Sequence, residues 1–598
     1  MRTRHPHFSL LEPAIAKRVQ AWLDGPYSTQ TKRAIAGIKD PVALRDAFYT
    51  DLTFGTGGLR ALMGIGTNRM NQYTVRMATQ GLANYILKQK FQGAAPSVFI
   101  GFDSRHNSEL FAKESAQILA AMGINVYLLT EMRPTPFISF ATRTLKCTAG
   151  IMITASHNPK EYNGYKVYWS DGGQVVQPHD AAITEEVHAI KKIDDILLAP
   201  LNDSHIELIG NTLDAAYLAA IRPLQHFPDN NKLFGATLNI IYTSLHGTGI
   251  TLAPLALKDW GFTSLHYVEE QILPNGDFPT VQVPNPECSE SLTLGIHKLM
   301  QTQSDILIAT DPDADRVGIA VRHRDQPVIL SGNAIASLCA DFLCTNHAPG
   351  AFVTTIATTE LVKTIAAAHN KPCVEVLTGF KYIGEKIHEW ETHPGEPGNH
   401  QFLFGAEESC GYLLGTHARD KDAQVTSCLL AEMALQAKMQ GKTLVDVLHA
   451  IYCKYGIFRE KQLSVHFASG ELGMQQITSL MEQLRGNPFK GLNGKPVVII
   501  EDYATGVRTH YPSAQKELLT LPKSNAMLFR LNGGDKFIIR ASGTEPKVKV
   551  YASVFTKDFS SVDEGIQISD NYLDQMLLSI EAGLKHEAGT GTHLICER

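Results

Sequence analysis

Three times along the chain a short apolar run leads into a one-faced helical pattern, a Gly or Asn, and a second apolar run. The first set is VFIGFD at 98–103, a helix from Leu110 to Met122 with Phe111, Ile118, Leu119 and Met122 on one face, Gly123, and NVYLL at 125–129. The second is LNIIY at 238–242, a helix from about Thr251 to Trp260, Gly261, and LHYV at 265–268. The third is AFVTT at 351–355, a helix from Glu360 to His369, Asn370, and CVEVL at 373–377. Each helix ends at a residue that tolerates a left-handed cap, and strand, helix, cap, strand is the order of a parallel crossover. The spacing predicts three related α/β domains. The last part of the chain differs: VVII at 497–500, AMLFRL at 526–531, KFII at 536–539 and VKVY at 548–551 are strand-like, and Asn532-Gly533 marks a hairpin. Leu573, Met576, Leu577, Ile580 and Leu584 fall at helical spacing. This predicts an α+β domain with an antiparallel sheet. Residues up to about 50 are expected to be helical, packed on the first domain, and a linker is expected at about 455–490, where both signals weaken.

Four loops carry candidate chemistry. TASHNP at 154–159 follows the apolar run AGIMI at 149–153. Loops past the carboxyl ends of strands in open α/β sheets are where chemistry sits, which puts the hydroxyl of Ser156 at a crevice. The same pattern also occurs in turns whose Ser and Asn serve only local backbone. DPDADR at 311–316 follows DILIAT at 305–310. In extended chain Asp311, Asp313 and Asp315 point the same way, and such oxygens suit a hard cation, Mg²⁺ or Ca²⁺. An EF-hand is excluded, since its sixth and twelfth positions would be Arg316 and Arg322. GAEESCG at 405–411 sets Glu407 and Ser409 between glycines, as hydrogen bonding to sugar hydroxyls or acid–base work requires; TGFK at 378–381, beginning at Thr378, is a possible second wall of that pocket. RASGTEPK at 540–547 offers Arg540, Ser542, Gly543 and Thr544 as a phosphate cradle. FGTGGLR at 54–60 has Arg60 where a dinucleotide fingerprint needs its third glycine, and no Walker A pattern exists.

Composition narrows the partners. The 598 residues exceed one core and predict about three to five domains. A net charge of −6 argues against a general nucleic-acid binder. No apolar run reaches membrane length, and the scattered cysteines show no CxxC pair or metal spacing. A cytoplasmic protein without membrane or nucleic-acid partners is expected.

TASHNP, DPDADR, GAEESCG and RASGTEP, in that order, resemble the α-D-phosphohexomutase superfamily, the phosphoglucomutases and phosphomannomutases. The length, FGTGGLR, TGFKYIG and FPTVQVPNPE at 278–287 resemble its longer branch of bacterial glucomutases, phosphopentomutases and glucose-1,6-bisphosphate synthases. The resemblance implies three α/β domains with mixed or parallel sheets plus the C-terminal α+β domain around a central cleft. The expected boundaries are 1–212 (with the helical extension and serine loop), 213–330 (metal loop), 331–470 (sugar loop) and 471–598 (phosphate loop). It implies phosphorylated Ser156 as the resting nucleophile and one Mg²⁺ per chain on Ser156, Asp311, Asp313 and Asp315. Arg60 and Lys166 match the catalytic centre, with Lys166 or His157 handling the proton; His157, next to Ser156 in an extended loop, is expected to point away from it. Thr378, Glu407, Ser409, Lys421, Arg316, Arg540, Ser542, Gly543 and Thr544 are the implied substrate contacts. The implied reaction interconverts hexose 1- and 6-phosphates of glucose or mannose, with glucose 1,6-bisphosphate as activator and intermediate. Phosphopentomutase and bisphosphate synthesis stand as alternatives, and an inactive sugar-phosphate-binding protein as a less favoured one. Small sugar phosphates are the expected partners, and the protein a monomer or weak dimer.

Overall fold

Each of the three patterns folds as a parallel crossover. The structure, a computed structural model, describes residues 10–52, 58–89, 95–467, 471–542, 547–588 and 595–597. It separates into two compact units, Met1–Gly332 with Pro349–Ala351 and Phe380–Leu444, and Asn333–Ala348 with Phe352–Gly379 and Val445–Arg598.

The first unit opens with helices Pro13–Asp24, Thr29–Ala36 and Pro41–Phe48. Val19, Trp22, Ile35, Leu44 and Phe48 bury their apolar faces together and against Tyr73 of the helix Gln72–Lys88, as an extension packed on the first domain should. The first sheet consists of β1 (Gly58–Leu62), β2 (Ser97–Phe102), β3 (Asn125–Leu129), β4 (Ala149–Ile153), β5 (Tyr162–Trp169) and β6 (Ile206–Ile209), in the order β1-β5-β4-β2-β3-β6. Strands β4, β2, β3 and β6 run parallel, and β5 and β1 add antiparallel to one side. The second sheet holds β7 (Ile240–Thr243), β8 (Leu265–Tyr267), β9 (Ile306–Thr310), β10 (Val317–His323) and β11 (Gln326–Leu330), in the order β11-β10-β9-β7-β8. Its core joins Ile241, Leu307, Ala309 and Ala320 to Leu292 and Leu299 of the helix Ser289–Gln301. Both β4 and β9 are buried on both faces, which is why they read as unbroken apolar runs.

The third crossover, β12 (Ala351–Thr355), helix Glu360–Ala368 and β13 (Cys373–Val376), belongs almost wholly to the second unit. The antiparallel hairpin β14 (Phe402–Glu407) and β15 (Gly411–Leu414) belongs to the first. The caps Gly123, Gly261 and Asn370 are left-handed, with φ of 75°, 103° and 54°.

The second unit's large sheet contains β16 (Ile457–His466), β18 (Lys495–Asp502), β19 (Val507–His510), β20 (Lys516–Leu518), β21 (Ala526–Leu531), β22 (Lys536–Ala541), β23 (Lys547–Thr556) and β24 (Ile595–Glu597), with β17 (Gly491–Leu492) paired to β18. The pairings are antiparallel, and the helix Val562–Ala588 buries Leu573, Met576, Leu577, Ile580 and Leu584 on the sheet. The expected linker at 455–490 is corrected: β16 pairs with β23 from Ile457 to His466, and the helix Glu471–Gly486 follows. The charged Arg459-Glu-Lys461 in mid-strand hides the strand pattern, and only pairing with β23 reveals it.

Candidate active site

Ser156 stands three residues past the carboxyl end of β4, in left-handed backbone with φ 52°, and is 4% exposed. Its conformation is built from behind. The Ser156 amide donates to Thr154 Oγ1 (2.8 Å), and that hydroxyl donates to Asp103 Oδ2 (2.6 Å) at the end of β2. Asp103 Oδ1 accepts from Ser108 Oγ (2.7 Å) and the Arg105 amide (3.0 Å). The Arg105 side chain, fully buried beside Asp103, donates to the carbonyls of Ser156 (2.6 Å), Asn158, Pro159 (2.8 Å) and Tyr162 (3.1 Å), and lies over the Phe278 ring at 4.9 Å. Burial lowers the Arg105 guanidinium from its ordinary value, against the pull of Asp103. Four carbonyls of one loop converge on a single guanidinium, and the loop closes around it.

The acidic turn connects β9 to the antiparallel β10. The carboxylates do not converge through extended chain, as the sequence pattern suggested; Ala314 is left-handed with φ 48°, and the turn folds back so that Asp311 Oδ1 accepts from the amides of Asp315 (3.1 Å) and Arg316 (2.9 Å). One carboxylate oxygen from each of Asp311, Asp313 and Asp315 lies within 4.8 Å of the others, and all three side chains are buried. Ser156 Oγ donates to Asp311 Oδ2 at 2.9 Å, so the serine and the acidic turn form one site. Thr135, the first residue of the helix Thr135–Thr144, donates from its hydroxyl to Asp313 Oδ2 (2.7 Å) and from its amide to the Asp313 carbonyl (2.8 Å).

Cations gather on the turn. Lys166 of β5 bridges Asp313 Oδ2 (2.8 Å) and Asp315 Oδ2 (3.1 Å). Lys421 reaches Asp315 Oδ2 (3.2 Å) and Asp420 Oδ1 (3.1 Å), and Arg316 lies 3.6 Å from Glu287 and 3.9 Å from Asp315. Burial and the neighbouring Asp313 and Asp315 push the Asp311 carboxyl well up. Burial alone would raise Asp315 too, but Lys421, Lys166 and Arg316 outweigh it and hold that group below the usual carboxylate range. Burial would lower the Lys166 ammonium, which Asp313, Asp315 and Asp420 instead hold above its ordinary value. Asp313 Oδ1 and Asp315 Oδ1 are buried and accept no hydrogen bond from the described residues. An all-oxygen set with two unmet acceptors fits a divalent hard cation.

The remaining candidates fall as follows. His157 does not point away: the left-handed turn at Ser156 swings its ring back, and Nδ1 lies 3.3 Å from Ser156 Oγ. Arg60 sits on strand β1 opposite Gly164, not in a glycine loop, which makes it a diagonal neighbour of Lys166 on one face of the sheet; residues 53–57 of FGTGGLR lie outside the described residues. Glu407 is the last residue of β14 rather than a loop residue, is 7% exposed, and acts electrostatically on Arg316 and Lys421. Ser409 lies in the following turn, whose Cys410 carbonyl accepts from the Val317 amide (3.0 Å) while Gly411 bridges Arg316, so the GAEESCG turn adjoins the acidic turn. In the second unit Thr378 follows β13 and is buried, Arg540 lies on β22, and the Ser542 amide donates to the Lys547 carbonyl (2.9 Å). Gly543 and Thr544 lie outside the described residues. The sequence reading missed Arg105, Asp103, Thr135 and Asp420; only the DSR at 103–105 after a strand, a polar stop to an apolar run, hinted at the first two.

Comparison with known proteins places the chain in a family. Three family descriptions match in order: phosphoglucomutase/phosphomannomutase alpha/beta/alpha domain I over 51–194, domain II over 215–324 and domain III over 331–455. A phosphoglucomutase of Staphylococcus haemolyticus is 37% identical over 529 residues, covering 87% of this chain and 93% of that protein, and one of Staphylococcus aureus is 36% identical over 530 residues with the same coverage. Among solved structures, the open form of the pp63/parafusin phosphoglucomutase of Paramecium superposes with a TM-score of 0.67 at 16% identity, covering 92% of this chain and 98% of that one. A phosphoglucomutase/phosphomannomutase family protein of Burkholderia thailandensis gives 0.63 at 18%, covering 91% and 99%. At those identities the structures speak to the fold. No helix among the described residues is long and apolar enough to cross a membrane. With three ordered domain matches and more than a third of residues shared across most of its length, the chain belongs to the phosphoglucomutase/phosphomannomutase family of phosphoryl-transferring enzymes.

Proposed function

We propose that this chain interconverts hexose 1-phosphate and hexose 6-phosphate, of glucose or mannose, through a phosphoserine at Ser156 and a hexose 1,6-bisphosphate. The observation that carries this is the 2.9 Å hydrogen bond from Ser156 Oγ into the buried triad, a hydroxyl placed among acidic oxygens that suit a metal. Asp311, Asp313 and Asp315, with an oxygen on Ser156, would hold Mg²⁺, which when bound supplies positive charge to the phosphoryl oxygens.

In the first half-reaction the P–O bond to Ser156 Oγ breaks, a new bond forms to the 6-hydroxyl oxygen of hexose 1-phosphate, the hydroxyl proton leaves to a base, and Ser156 Oγ takes up a proton. The second half-reaction runs the same exchange from the 1-position back to Ser156, releasing hexose 6-phosphate. His157, at 3.3 Å, is in reach of the serine oxygen for the proton. Lys166 and Arg316 bring fixed positive charge beside the triad, as a loose phosphoryl transition state needs. Glu407, which acts electrostatically on Lys421, and Ser409 offer acceptor and donor groups to sugar hydroxyls. On the second unit, Thr378, Arg540 and Ser542, with Gly543 and Thr544 in the same motif, carry the chemistry of phosphate binding. The bisphosphate serves as activator because it rephosphorylates Ser156.

The test is intact mass of the protein before and after glucose 1,6-bisphosphate, with the phosphate mapped to its residue. One phosphate on Ser156 is the expected outcome; a phosphate elsewhere, or none alongside full mutase activity, overturns the scheme. Relative turnover of glucose, mannose and ribose 1-phosphates decides against the phosphopentomutase alternative if ribose is the poorest.

A further inference from the structure

The turn after β7, SLHGTG at 244–249, has no part in the chemistry described so far, yet its backbone is closely specified. Leu245 and His246 are consecutive non-glycine residues in left-handed backbone, with φ of 45° and 63°. Such backbone persists only where its surroundings over-determine it. Here they do: the Leu245 amide donates to Thr243 Oγ1 (3.1 Å), the His246 amide to the Gln271 carbonyl (2.8 Å), and the Asn275 amide to the His246 carbonyl (3.0 Å). The His246 ring is buried, with Nε2 2.9 Å from Thr280 Oγ1 and Nδ1 3.4 Å from the Leu273 carbonyl.

What the turn presents on its other side is the acidic turn. The Thr248 amide (2.7 Å) and hydroxyl (2.9 Å) both donate to the carbonyl of Pro312, the residue between Asp311 and Asp313. A Cβ on Gly247 would lie 2.2 Å from Pro312 Cα, and one on Gly249 would lie 2.3 Å from Thr310 Oγ1 and 2.4 Å from Tyr242 Oη. The two glycines therefore let one strand of backbone press on both chain neighbours of Asp311. Three buried carboxylates repel one another, and a backbone that must hold them together needs a brace from outside.

We infer that the 244–249 turn is that brace, and that Thr248 is a positioning residue which sets the spacing of Asp311 and Asp313 for divalent-cation binding. The inference rests on the metal reading above. It is tested by Mn²⁺ binding to the metal-stripped, unphosphorylated enzyme, followed by electron paramagnetic resonance, for wild type, Asp313→Asn, Thr248→Val, Thr248→Ser, Gly249→Ala and Thr280→Val. Thr248→Val is expected to weaken Mn²⁺ about tenfold, within the range for loss of a supporting partner. Thr248→Ser should restore it, and the metal-free unfolding midpoint of both should stay close to wild type. Wild-type Mn²⁺ affinity in Asp313→Asn defeats the metal reading itself. Loss of binding in Asp313→Asn with wild-type affinity in Thr248→Val overturns the brace alone. Should Thr248→Val fail to fold, Gly249→Ala and the exposed Thr280→Val decide, and wild-type affinity in both overturns it.

Discussion

The serine loop and the acidic turn hang from equivalent places, the carboxyl ends of β4 and β9, but they are held in opposite ways. The serine loop is satisfied from within its own sheet: Arg105 and Asp103, both at the end of β2, take up its carbonyls and the Thr154 hydroxyl. The carboxylates of the acidic turn draw their side-chain partners from elsewhere, Thr135 and Lys166 from the first sheet's elements and Lys421 from beyond β15, and two buried oxygens still have no donor among the described residues. The difference separates two tasks. A nucleophile must be presented in one geometry through both half-reactions, so its loop is complete in itself. A cation site must keep acceptor capacity in reserve, so its loop is incomplete by construction.

The comparison breaks most severely at the nucleophile. Ser156→Ala removes the oxygen common to both loops and is expected to lower turnover by on the order of 10⁶-fold, as loss of a covalent nucleophile does. The readout is formation of glucose 6-phosphate from glucose 1-phosphate, with Mn²⁺ affinity retained to within an order of magnitude through the three aspartates. Next is the cation side. Asp313→Asn keeps the shape but removes the negative charge that Lys166 and Thr135 both contact, and metal affinity should fall by roughly 10²–10³-fold, beyond the effect of an outer partner. Titration of activity with Mg²⁺ should show the loss recovered in part at high metal. Arg105→Met tests the serine loop's self-sufficiency. Four carbonyls and Asp103 lose their buried partner, and stability should fall by about 3–5 kcal/mol. Urea unfolding measures it; a change below about 1 kcal/mol would show that the loop closes without Arg105.

How far the sequence revealed these two loops follows from the same contrast. The acidic turn is legible because its chemistry lies in contiguous residues: Asp311, Asp313 and Asp315 announce a cation whatever the backbone does. Its geometry was not, since the left-handed Ala314 is an ordinary alanine in sequence. Ser156 was legible through the strand before it, and the three crossovers through their periodicity and caps, because burial on both faces of β4 and β9 leaves an apolar signature. Arg105 was not legible: a lone arginine fifty-one to fifty-seven positions from the carbonyls it binds has no local pattern. His157 was misplaced for the reason that Ser156 has positive φ, which no side chain at 156 advertises. Strand β16 was hidden because its mid-strand charges interrupt the apolar alternation, although Arg459 and Lys461 pair with Asp570 and Asp574 of the C-terminal helix.

The smallest expected effect sharpens the contrast rather than breaking it. Thr135 gives Asp313 two bonds, one from its amide and one from its hydroxyl, and only the second depends on the side chain. Thr135→Val keeps the volume and the amide bond, leaves Asp313 Oδ2 with Lys166 as its donor, and adds no charge. If the acidic turn is held from outside, metal affinity should weaken by about tenfold, the lower end for an outer partner of a metal ligand, while the serine loop, which does not use Thr135, keeps its reactivity. Phosphorylation of the variant by glucose 1,6-bisphosphate at saturating Mg²⁺ should therefore match wild type and fall behind only as Mg²⁺ is lowered. A variant slow at every Mg²⁺ concentration would mean that the two loops are not independently supported, and that Asp311, through its bond to Ser156, carries the disturbance from one to the other.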